Sequence, residues 1–582
     1  MFPRPRTALA ASLLVLAACG DGVATAPDAT LVAFAEVTGS VRPDAPLAVE
    51  LRNGGSDRFG PIRILTGEIL DPADLSQVGA RLIPDPSIVS TLAPGATARV
   101  ELRLIGGEAL GLETYRSRVT ARIDGADVAT VDVEVVGQEA PSSPVATLTL
   151  TAPESVRRGD VVRLGAAAVD PSGAAVEDPA IRWALDPADG GWIDADGRFV
   201  AYREGPIRIT ARAGSVTDAI EITVTPRGGR MDFTLVGEGL ETERFTSDLW
   251  VHGGFAWTGS WGVRQNGGTP AFGNQLRTWR LGAGDPVATD ALQVDARTTN
   301  DVKVSDDGAL AVVTHEGSQD GLNGVTILDL ADPAHPQVVG RLIGHGLESG
   351  VHNAWIDDHW LYLVLDGVGS GLRVFDIADP ANPRRVASYW AGESFLHDVL
   401  VRDGLAFLSH WNAGLVILDV GNGVAGGRPD APVEVGRLRD LGGQTHNVWY
   451  WPDRGLAFVG EEDFETPGRM HVVDVSDLGD PREIATFAVP TTTPHNFWLD
   501  EEAAVLYLGW YAAGVRALDV SGELMGELDR QGRELGSWTR PDAAPACWSG
   551  MGTCTWAPQL HEGRLYLADI NRGLVVLEPR MR

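Results

Sequence analysis

Four histidines recur along the second half of the chain at intervals of 45, 49 and 49 residues. They are His352, His397, His446 and His495, and each is followed by an Asn or an Asp. Imidazole is the commonest protein ligand of transition metals, and a carboxylate beside it suits Zn, Cu, Fe or Mn. The neighbouring Asn or Asp would orient its imidazole through a hydrogen bond. If the four positions converge in space, the series predicts a site for one transition metal ion.

The series extends imperfectly to both sides, which leaves other interpretations open. The equivalent dipeptide one repeat earlier is Asn300-Asp301, so Asp301 and Asp398 are the candidate carboxylates of the same ring. Ser247 and Trp556 occupy the outermost equivalent places, so the histidine ring is incomplete. A dipeptide that recurs in successive repeats could also join them through hydrogen bonds to the backbone, or bind a ligand without a metal.

A second set of polar and aromatic residues that could bind a ligand follows the second strand of each repeat. Carboxylates and a histidine stand there beside aromatic residues, a mixture that binds sugars or peptides but also packs neighbouring repeats. The carboxylates and the histidine are Glu316, Asp366, His410, Glu461, Glu462 and Asp569. The aromatic members are Trp411, Trp510 and Tyr511. Their shared place in the repeat predicts that they lie on one face of the array.

The elements that must position these residues come from a repeat of 43 to 59 residues. Its core is a Gly, a run of apolar residues, an Asp and one more apolar residue. Seven copies are found, one of them degenerate: Leu276–Leu281, Gly324–Leu330, Gly371–Ile377, Gly414–Val420, Met470–Val475, Gly514–Val520 and Gly573–Glu578. Such a period is typical of β-propellers and solenoids, and nearly continuous apolar strands indicate sheets that are buried on both faces.

These repeats resemble the LVIVD-repeat family of bacterial surface and lipoprotein β-propellers. The resemblance covers residues 231–582 and implies a seven-bladed propeller with about four strands in each blade. The last repeat has no outer strand of its own, and Met231–Glu238 looks like the missing one. We therefore expect this segment to complete the last blade, because closure of the ring removes exposed sheet edges. The family implies a surface location and a binding role, but names no ligand.

Two further β modules precede the repeats. Alternating apolar and polar residues with turn signals predict a β-sandwich over residues 31–137. In residues 145–226, Trp183 stands between two acidic turns, and Ile207–Ala211 forms a later strand. This order resembles the bacterial Ig-like group 2 domain, which serves as a spacer or an adhesive stalk. The expected fold class is all-β, with two sandwich modules followed by a seven-bladed propeller.

The first residues have the character of an export signal. Arg4 and Arg6 form a basic start, and Ala8–Ala18 is an apolar stretch that ends at Cys19. This arrangement resembles the lipobox of bacterial lipoproteins, in which the cysteine becomes the lipidated first residue of the mature protein. We expect residues 1–19 to be a signal peptide and residues 20–30 a tether. The expected location is the outer membrane or the cell surface, with the membrane contacted through the lipid anchor.

The composition excludes several classes of function. A net charge of −32 argues against a nucleic acid partner, because phosphates would repel the chain. Lys303 is the only lysine, so Walker-type phosphate loops and most Schiff-base chemistry are nearly excluded. No apolar run reaches the roughly 18 residues that a membrane-spanning helix needs. Apart from Cys19, the only cysteines are Cys547 and Cys554, which predict a local disulfide in an exported chain.

Together these features favour an exported protein that binds a protein, a glycan or a small ligand through its propeller. The alternative is an exported metal-dependent oxidoreductase or hydrolase that uses the histidine ring. The sequence assigns no catalytic residue, and metal analysis of the purified protein separates the two interpretations most directly.

Overall fold

The computed structural model describes residues 32–582 apart from short internal gaps. The gaps are 36, 38, 44, 70–79, 108–109, 111–113, 124–125, 138–144, 178, 180, 215, 366, 368–370, 393–394, 440, 464–466, 491, 542–543 and 545. The described residues form β-strands and a few short 3-10 turns, and they contain no α-helix. The expected all-β class is therefore confirmed. None of the described helical segments has the length and apolar character needed to cross a bilayer.

The first module, residues 32–137, consists of two facing sheets. Its strands are β1 (Val32–Phe34), β2 (Ser40–Val41), β3 (Leu47–Asn53), β4 (Ile62–Thr66), β5 (Arg81–Asp85), β6 (Ile88–Val89), β7 (Thr97–Ile105), β8 (Thr114–Ile123) and β9 (Ala126–Val136). One sheet has the order β1-β3-β7-β5 and the other β2-β9-β8-β4-β6. Alternation along each strand sends Leu51, Ile64 and Val119 into one shared core.

The second module, residues 145–226, is smaller. Its strands are β10 (Thr147–Thr151), β11 (Ser155–Arg157), β12 (Val161–Arg163), β13 (Gly165–Val169), β14 (Arg182–Asp186), β15 (Gly191–Ile193), β16 (Arg198–Ala201), β17 (Gly205–Ala213) and β18 (Val216–Thr225). The main sheet has the order β11-β18-β17-β14, and a three-stranded sheet β12-β16-β15 packs against it. A 3-10 turn, Ala188–Gly190, precedes β15.

Residues 231–581 supply the remaining strands of the described chain. The first of them are β19 (Met231–Leu240), β20 (Phe245–His252), β21 (Phe255–Trp261), β22 (Val263–Asn266), β23 (Thr269–Phe272), β24 (Gln275–Arg280) and β25 (Val287–Gln293). They are followed by β26 (Val302–Val304), β27 (Leu310–His315), β28 (Gly324–Asp329), β29 (Gln337–Ile343), β30 (Val351–Asp357), β31 (Trp360–Leu365), β32 (Leu372–Asp376) and β33 (Arg384–Tyr389).

The second half of this region continues the pattern. Its strands are β34 (Leu396–Arg402), β35 (Leu405–His410), β36 (Gly414–Asp419), β37 (Val433–Leu438), β38 (Thr445–Trp451), β39 (Leu456–Glu461), β40 (Arg469–Asp474), β41 (Arg482–Ala488), β42 (Phe497–Asp500), β43 (Val505–Gly509), β44 (Val515–Asp519), β45 (Gly526–Glu527), β46 (Glu534–Trp538), β47 (Thr555–His561), β48 (Arg564–Asp569) and β49 (Gly573–Met581). Two 3-10 turns occur, Pro452–Arg454 and Leu528–Gln531.

Apart from the small hairpin β22-β23, these strands form seven sheets in the described chain, antiparallel except where β45 pairs parallel with β41. The orders are β20-β21-β24-β25, β26-β27-β28-β29, β30-β31-β32-β33, β34-β35-β36-β37, β38-β39-β40-β41-β45, β42-β43-β44-β46 and β19-β49-β48-β47. The first strands of the repeats are β20, β26, β30, β34, β38, β42 and β47. Each contacts the next, and β47 contacts β20. These first strands therefore line a closed ring.

The last sheet is completed by the start of this region. Strand β19 pairs antiparallel with β49 over nine residue pairs, from Met231 opposite Met581 to Leu240 opposite Gly573. This pairing is the one that the unfinished last repeat predicts. The repeat glycine also has a steric reason, because Gly414 has φ +81° and a Cβ there would meet the carbonyl oxygen of Leu438 at 2.0 Å.

Candidate metal centre

The four histidines of the series meet at one end of the ring. Each lies at or just before the start of a first strand, and neighbouring first strands are in contact. The ring centroids of His352 and His397 are 4.4 Å apart, those of His397 and His446 4.2 Å, and those of His446 and His495 4.2 Å. The four histidines, regularly spaced in the sequence, therefore form a continuous row of imidazoles, called the imidazole row.

Three of the imidazoles have one nitrogen fixed by an acceptor. Nδ1 of His397 donates to the carbonyl oxygen of His446 at 3.0 Å, and Nδ1 of His495 donates to that of Trp556 at 3.0 Å. Nδ1 of His352 donates to Oε1 of Glu316 at 2.7 Å. The two bonds to carbonyl oxygens join successive sheets, as expected if the recurring dipeptide links neighbouring repeats through the backbone. They also fix the tautomer of His397 and His495 and leave Nε2 as the atom able to bind a metal.

His446 differs from its neighbours. Its side chain is buried, and neither ring nitrogen makes a hydrogen bond within the described part of the chain. The nearest carboxylate oxygen is Oε2 of Glu462, 3.6 Å from Nε2 of His446. A buried polar atom without a hydrogen-bond partner is costly and needs an explanation, of which a bound ion is one.

His397, His446 and Glu462 together have the geometry of a metal-binding group. One ligand atom of each lies within 4.8 Å of the others. Atoms that share a tetrahedral ion at about 2.0–2.2 Å lie about 3.3–3.6 Å apart, so binding would draw the three ligand atoms together by up to about 1.5 Å. Tyr511 donates a hydrogen bond to Oε1 of Glu462, which leaves Oε2 facing His446.

Burial controls the charge of this group. It lowers the pKa of His397, His446 and His495 well below the ordinary value of imidazole, so all three rings are neutral. Burial also raises the pKa of Glu462 to about 7. Neutral imidazoles offer their lone pairs to a metal without first losing a proton, and a bound cation would favour the charged form of the carboxylate.

Aromatic side chains pack against the imidazole row at two places. Trp411 lies beside the inner member His397, with ring centroids 4.8 Å apart. At the His495 end of the row, Trp556 lies 4.1 Å and Tyr511 5.0 Å from the ring of His495. Two of the three aromatic residues that the sequence placed after the second strands, Trp411 and Tyr511, therefore reach the histidines. Trp510 does not, because its ring packs against Phe487 in a core between sheets.

The carboxylates that follow the histidine positions form a separate layer. Asp301 is buried and pairs with Lys303, whose Nζ also lies 3.0 Å from Oδ2 of Asp248. Oδ2 of Asp301 accepts a hydrogen bond from the backbone N–H of Ala354 at 2.9 Å. Burial raises the pKa of Asp301 to about 8 and that of Asp398 to about 7. Neither joins the group of His397, His446 and Glu462 among the described residues. Asp301 pairs with Lys303 instead, and Oδ1 of Asp398 accepts a hydrogen bond from the backbone N–H of Val399 at 2.7 Å.

We expect Lys303→Met to lower the free energy of unfolding by about 3–5 kcal/mol near pH 8, because it leaves buried carboxylates without a cation. The loss should shrink towards pH 4, since the pKa of Asp301 is raised and its neutral form needs no partner at low pH. Urea unfolding at both pH values measures this. Arg384→Met is the control, because Arg384 is 73% exposed and its ion pair with Asp376 should contribute less than about 1 kcal/mol. An equally small loss for Lys303→Met would contradict the assignment.

The sequence did not single out a further layer of tryptophans. Trp250, Trp355, Trp449 and Trp498 each stand three residues after a member of the histidine position. Their rings pack across the ring of strands, with centroids of Trp250 5.9 Å from Trp355 and 6.3 Å from Trp498. The recurring interval of three residues was the signal that could have found them.

The other residues predicted to line this face have varied environments. Nε2 of His471 lies 3.3 Å from Glu461, so that carboxylate faces away from the imidazole row. Asp569 accepts a hydrogen bond from the backbone of Cys554 at 2.9 Å, and burial raises its pKa to about 6. His410 is buried at the end of β35. Asp366 lies outside the described residues.

Cys547 and Cys554 are joined by a disulfide beside this face of the ring. The loop that they close carries Trp548, whose ring lies 5.6 Å from that of Tyr511. The disulfide therefore anchors a loop that contacts the wall of the imidazole row.

Comparison with known proteins gives one family match. The LVIVD repeat matches residues 319–343 and 396–438, which include β28, β29 and β34 to β37. The chain thus contains LVIVD repeats, as the sequence predicts. No curated protein matches this chain. The crystal structure of the computationally designed Ika8 protein is similar over 59% of this chain and 99% of that chain, at 10% identity and a TM-score of 0.40.

Proposed function

We propose that this chain is an exported, lipid-anchored binding protein built on a seven-bladed β-propeller, with a transition metal ion as the ligand at the imidazole row. The closed ring of sheets, the LVIVD repeats and the pairing of β19 with β49 support the propeller. The last sheet combines β19 from the start of the region with β47, β48 and β49 from its end, so the ring is closed by backbone pairing between the two ends of the region.

The two preceding modules are proposed to be Ig-like spacers. Their facing sheets and alternating strands support this assignment, together with the turn pattern around Trp183. Arg227 ties the second module to the ring, since its guanidinium lies 2.6 Å from Asp519 and 2.9 Å from Asp160. Arg533 adds a hydrogen bond to the carbonyl oxygen of Gly159. A spacer fixed in this way would hold the propeller at a set distance from its anchor.

Anchoring is proposed at Cys19, which lies outside the described residues, as do the signal peptide and the tether. Cys19→Ser should move the protein from the membrane fraction to the soluble fraction, because this residue is the only lipid acceptor that the sequence offers. Fractionation followed by immunoblotting measures the change, with Cys547→Ser as the control. Unchanged membrane partition of Cys19→Ser would contradict the lipoprotein assignment.

One observation carries the metal assignment: a buried His446, whose ring nitrogens make no hydrogen bond among the described residues, lies between a tautomer-fixed His397 and the carboxylate of Glu462. Two imidazoles and one carboxylate suit Zn, Cu, Fe or Mn, and three protein ligands leave at least one coordination position for an outside molecule. An exported metal-dependent enzyme would use the same ligands. That alternative becomes testable once the metal is identified.

Equilibrium dialysis of the purified, chelator-stripped protein against Zn²⁺ or Cu²⁺ tests the proposal. We expect close to one equivalent of tightly bound ion, and an increase in the melting temperature because the ion binds only the folded state. Weak binding of several equivalents, without an effect on melting, would indicate surface carboxylates and contradict the assignment.

A further inference from the structure

We propose that the first module is part of this metal site, and that Arg63 on β4 is a positioning residue for Glu462 and Trp411. The inference rests on the proposed function, because it concerns the geometry of the same ligands. Its basis is a set of contacts between residues about 400 positions apart in sequence. The contacts reach the chain on both sides of Glu462.

The first contact lies directly after Glu462. The guanidinium of Arg63 pairs with the carboxylate of Asp463, and the two side chains are only 16% and 3% exposed. An ion pair removed from water in this way is held more firmly than a surface pair, and loss of one partner leaves the other charge buried. Arg63 therefore fixes the backbone next to the metal-binding carboxylate.

The second contact passes through Gln444. With the Gln444 amide oriented so that its oxygen faces donors, that oxygen accepts hydrogen bonds from Arg63 at 2.8 Å and from Nε1 of Trp411 at 3.1 Å. The Gln444 amide nitrogen donates to the carbonyl oxygen of Glu462 at 3.0 Å, and the N–H of Glu462 donates to the carbonyl oxygen of Gln444 at 2.9 Å. One amide thus links the arginine of the first module to Glu462 and to the tryptophan that covers His397.

A third contact holds the residue before Glu462. Arg81 on β5 pairs with Glu483, whose other oxygen accepts a hydrogen bond from Nδ1 of His471 at 2.6 Å. Nε2 of His471 lies 3.3 Å from Glu461, and this imidazole is only 1% exposed. The chain of contacts from the first module thus ends at Glu461, so both neighbours of Glu462 depend on that module.

These contacts have a consequence for binding. Partners that orient a metal ligand typically change metal affinity by about 10- to 100-fold when they are removed. Loss of Arg63 removes the ion pair with Asp463 and one hydrogen bond to Gln444, so Glu462 and Trp411 are held in place by fewer contacts. The ligand set of the ring should remain, but with a poorer geometry for the ion.

The test compares Arg63→Ala, Arg63→Lys and Arg99→Ala in the full-length protein. Arg99 lies in the same module, is 66% exposed and pairs only with Glu101 at 3.0 Å among described contacts, so it is the matched control. Zn²⁺ affinity is measured by competition with a chelator, and the visible spectrum of the Co²⁺-loaded protein reports ligand geometry. Melting temperatures identify any variant that fails to fold.

We expect Arg63→Ala to raise the Kd for Zn²⁺ about 10- to 100-fold and to change the Co²⁺ spectrum. Arg63→Lys should recover part of the affinity, and Arg99→Ala should match the wild type. If the wild type binds Zn²⁺ and Arg63→Ala, still folded, has the same Kd and spectrum, the inference is wrong and the proposed function stands. If the wild type binds no ion, the proposed function fails and the inference fails with it. If Arg63→Ala does not fold, Gln444→Ala takes its place under the same criteria.

Discussion

A shortened protein that begins at Thr242 should unfold far more easily than one that begins at Arg227, because it lacks β19. Strand β19 supplies nine residue pairs to β49, and Met231 at its start is buried in the core between the last two sheets. At about 0.5–1.5 kcal/mol for each backbone hydrogen bond, the loss is on the order of 5 kcal/mol. The bare edge of β49 would also favour aggregation.

Thermal unfolding followed by circular dichroism measures this difference, and light scattering reports the aggregation. Both shortened proteins lack the two modules, so their comparison isolates the ten residues of β19, the four residues before it and Glu241 after it. Equal melting temperatures would show that the ring closes without this strand and would contradict the account of the last sheet.

The second large effect is expected at the metal site. His446→Ala should raise the Kd for Zn²⁺ by more than about 100-fold, because removal of a direct ligand exceeds the cost of removing an orienting partner. Stability without metal should fall only by the cost of the cavity that the lost ring leaves, since the ring nitrogens of His446 make no hydrogen bond within the described chain.

His335→Ala is the control for this variant. His335 is 57% exposed in a turn and lies outside the imidazole row, so its loss should leave the Kd unchanged. If His446→Ala binds Zn²⁺ as tightly as the wild type, the ion is held elsewhere. If His446→Ala binds Zn²⁺ as tightly as the wild type and its free energy of unfolding also falls by several kcal/mol, the imidazoles serve only to hold the sheets together.

Much of the fold follows from the sequence because the repeats are local. Five of the seven copies begin with a glycine and five carry the aspartate, and the burial of the strands on both faces follows from their apolar composition. The missing outer strand after Glu578 was enough to predict that Met231–Glu238 pairs with the last sheet. Counting strands in each repeat needs no knowledge of distant contacts.

The site was predictable only in part, for a physical reason. The spacing of the histidines shows that they recur, and a ring then brings His397 and His446 together. Spacing gives no side-chain direction, so it could not show that Asp301 turns to Lys303, or that Glu462 reaches across to the imidazoles. The contact of Arg63 with Asp463 joins two separate modules, and no local pattern encodes it.

The most direct test of the central claim is an anomalous difference map from crystals of the Zn²⁺-loaded protein, recorded at the zinc absorption edge. The account predicts one strong peak about 2.0–2.2 Å from a ring nitrogen of His397, a ring nitrogen of His446 and a carboxylate oxygen of Glu462. A peak bound by other residues, or no peak at the imidazole row in protein that contains stoichiometric zinc, would contradict it.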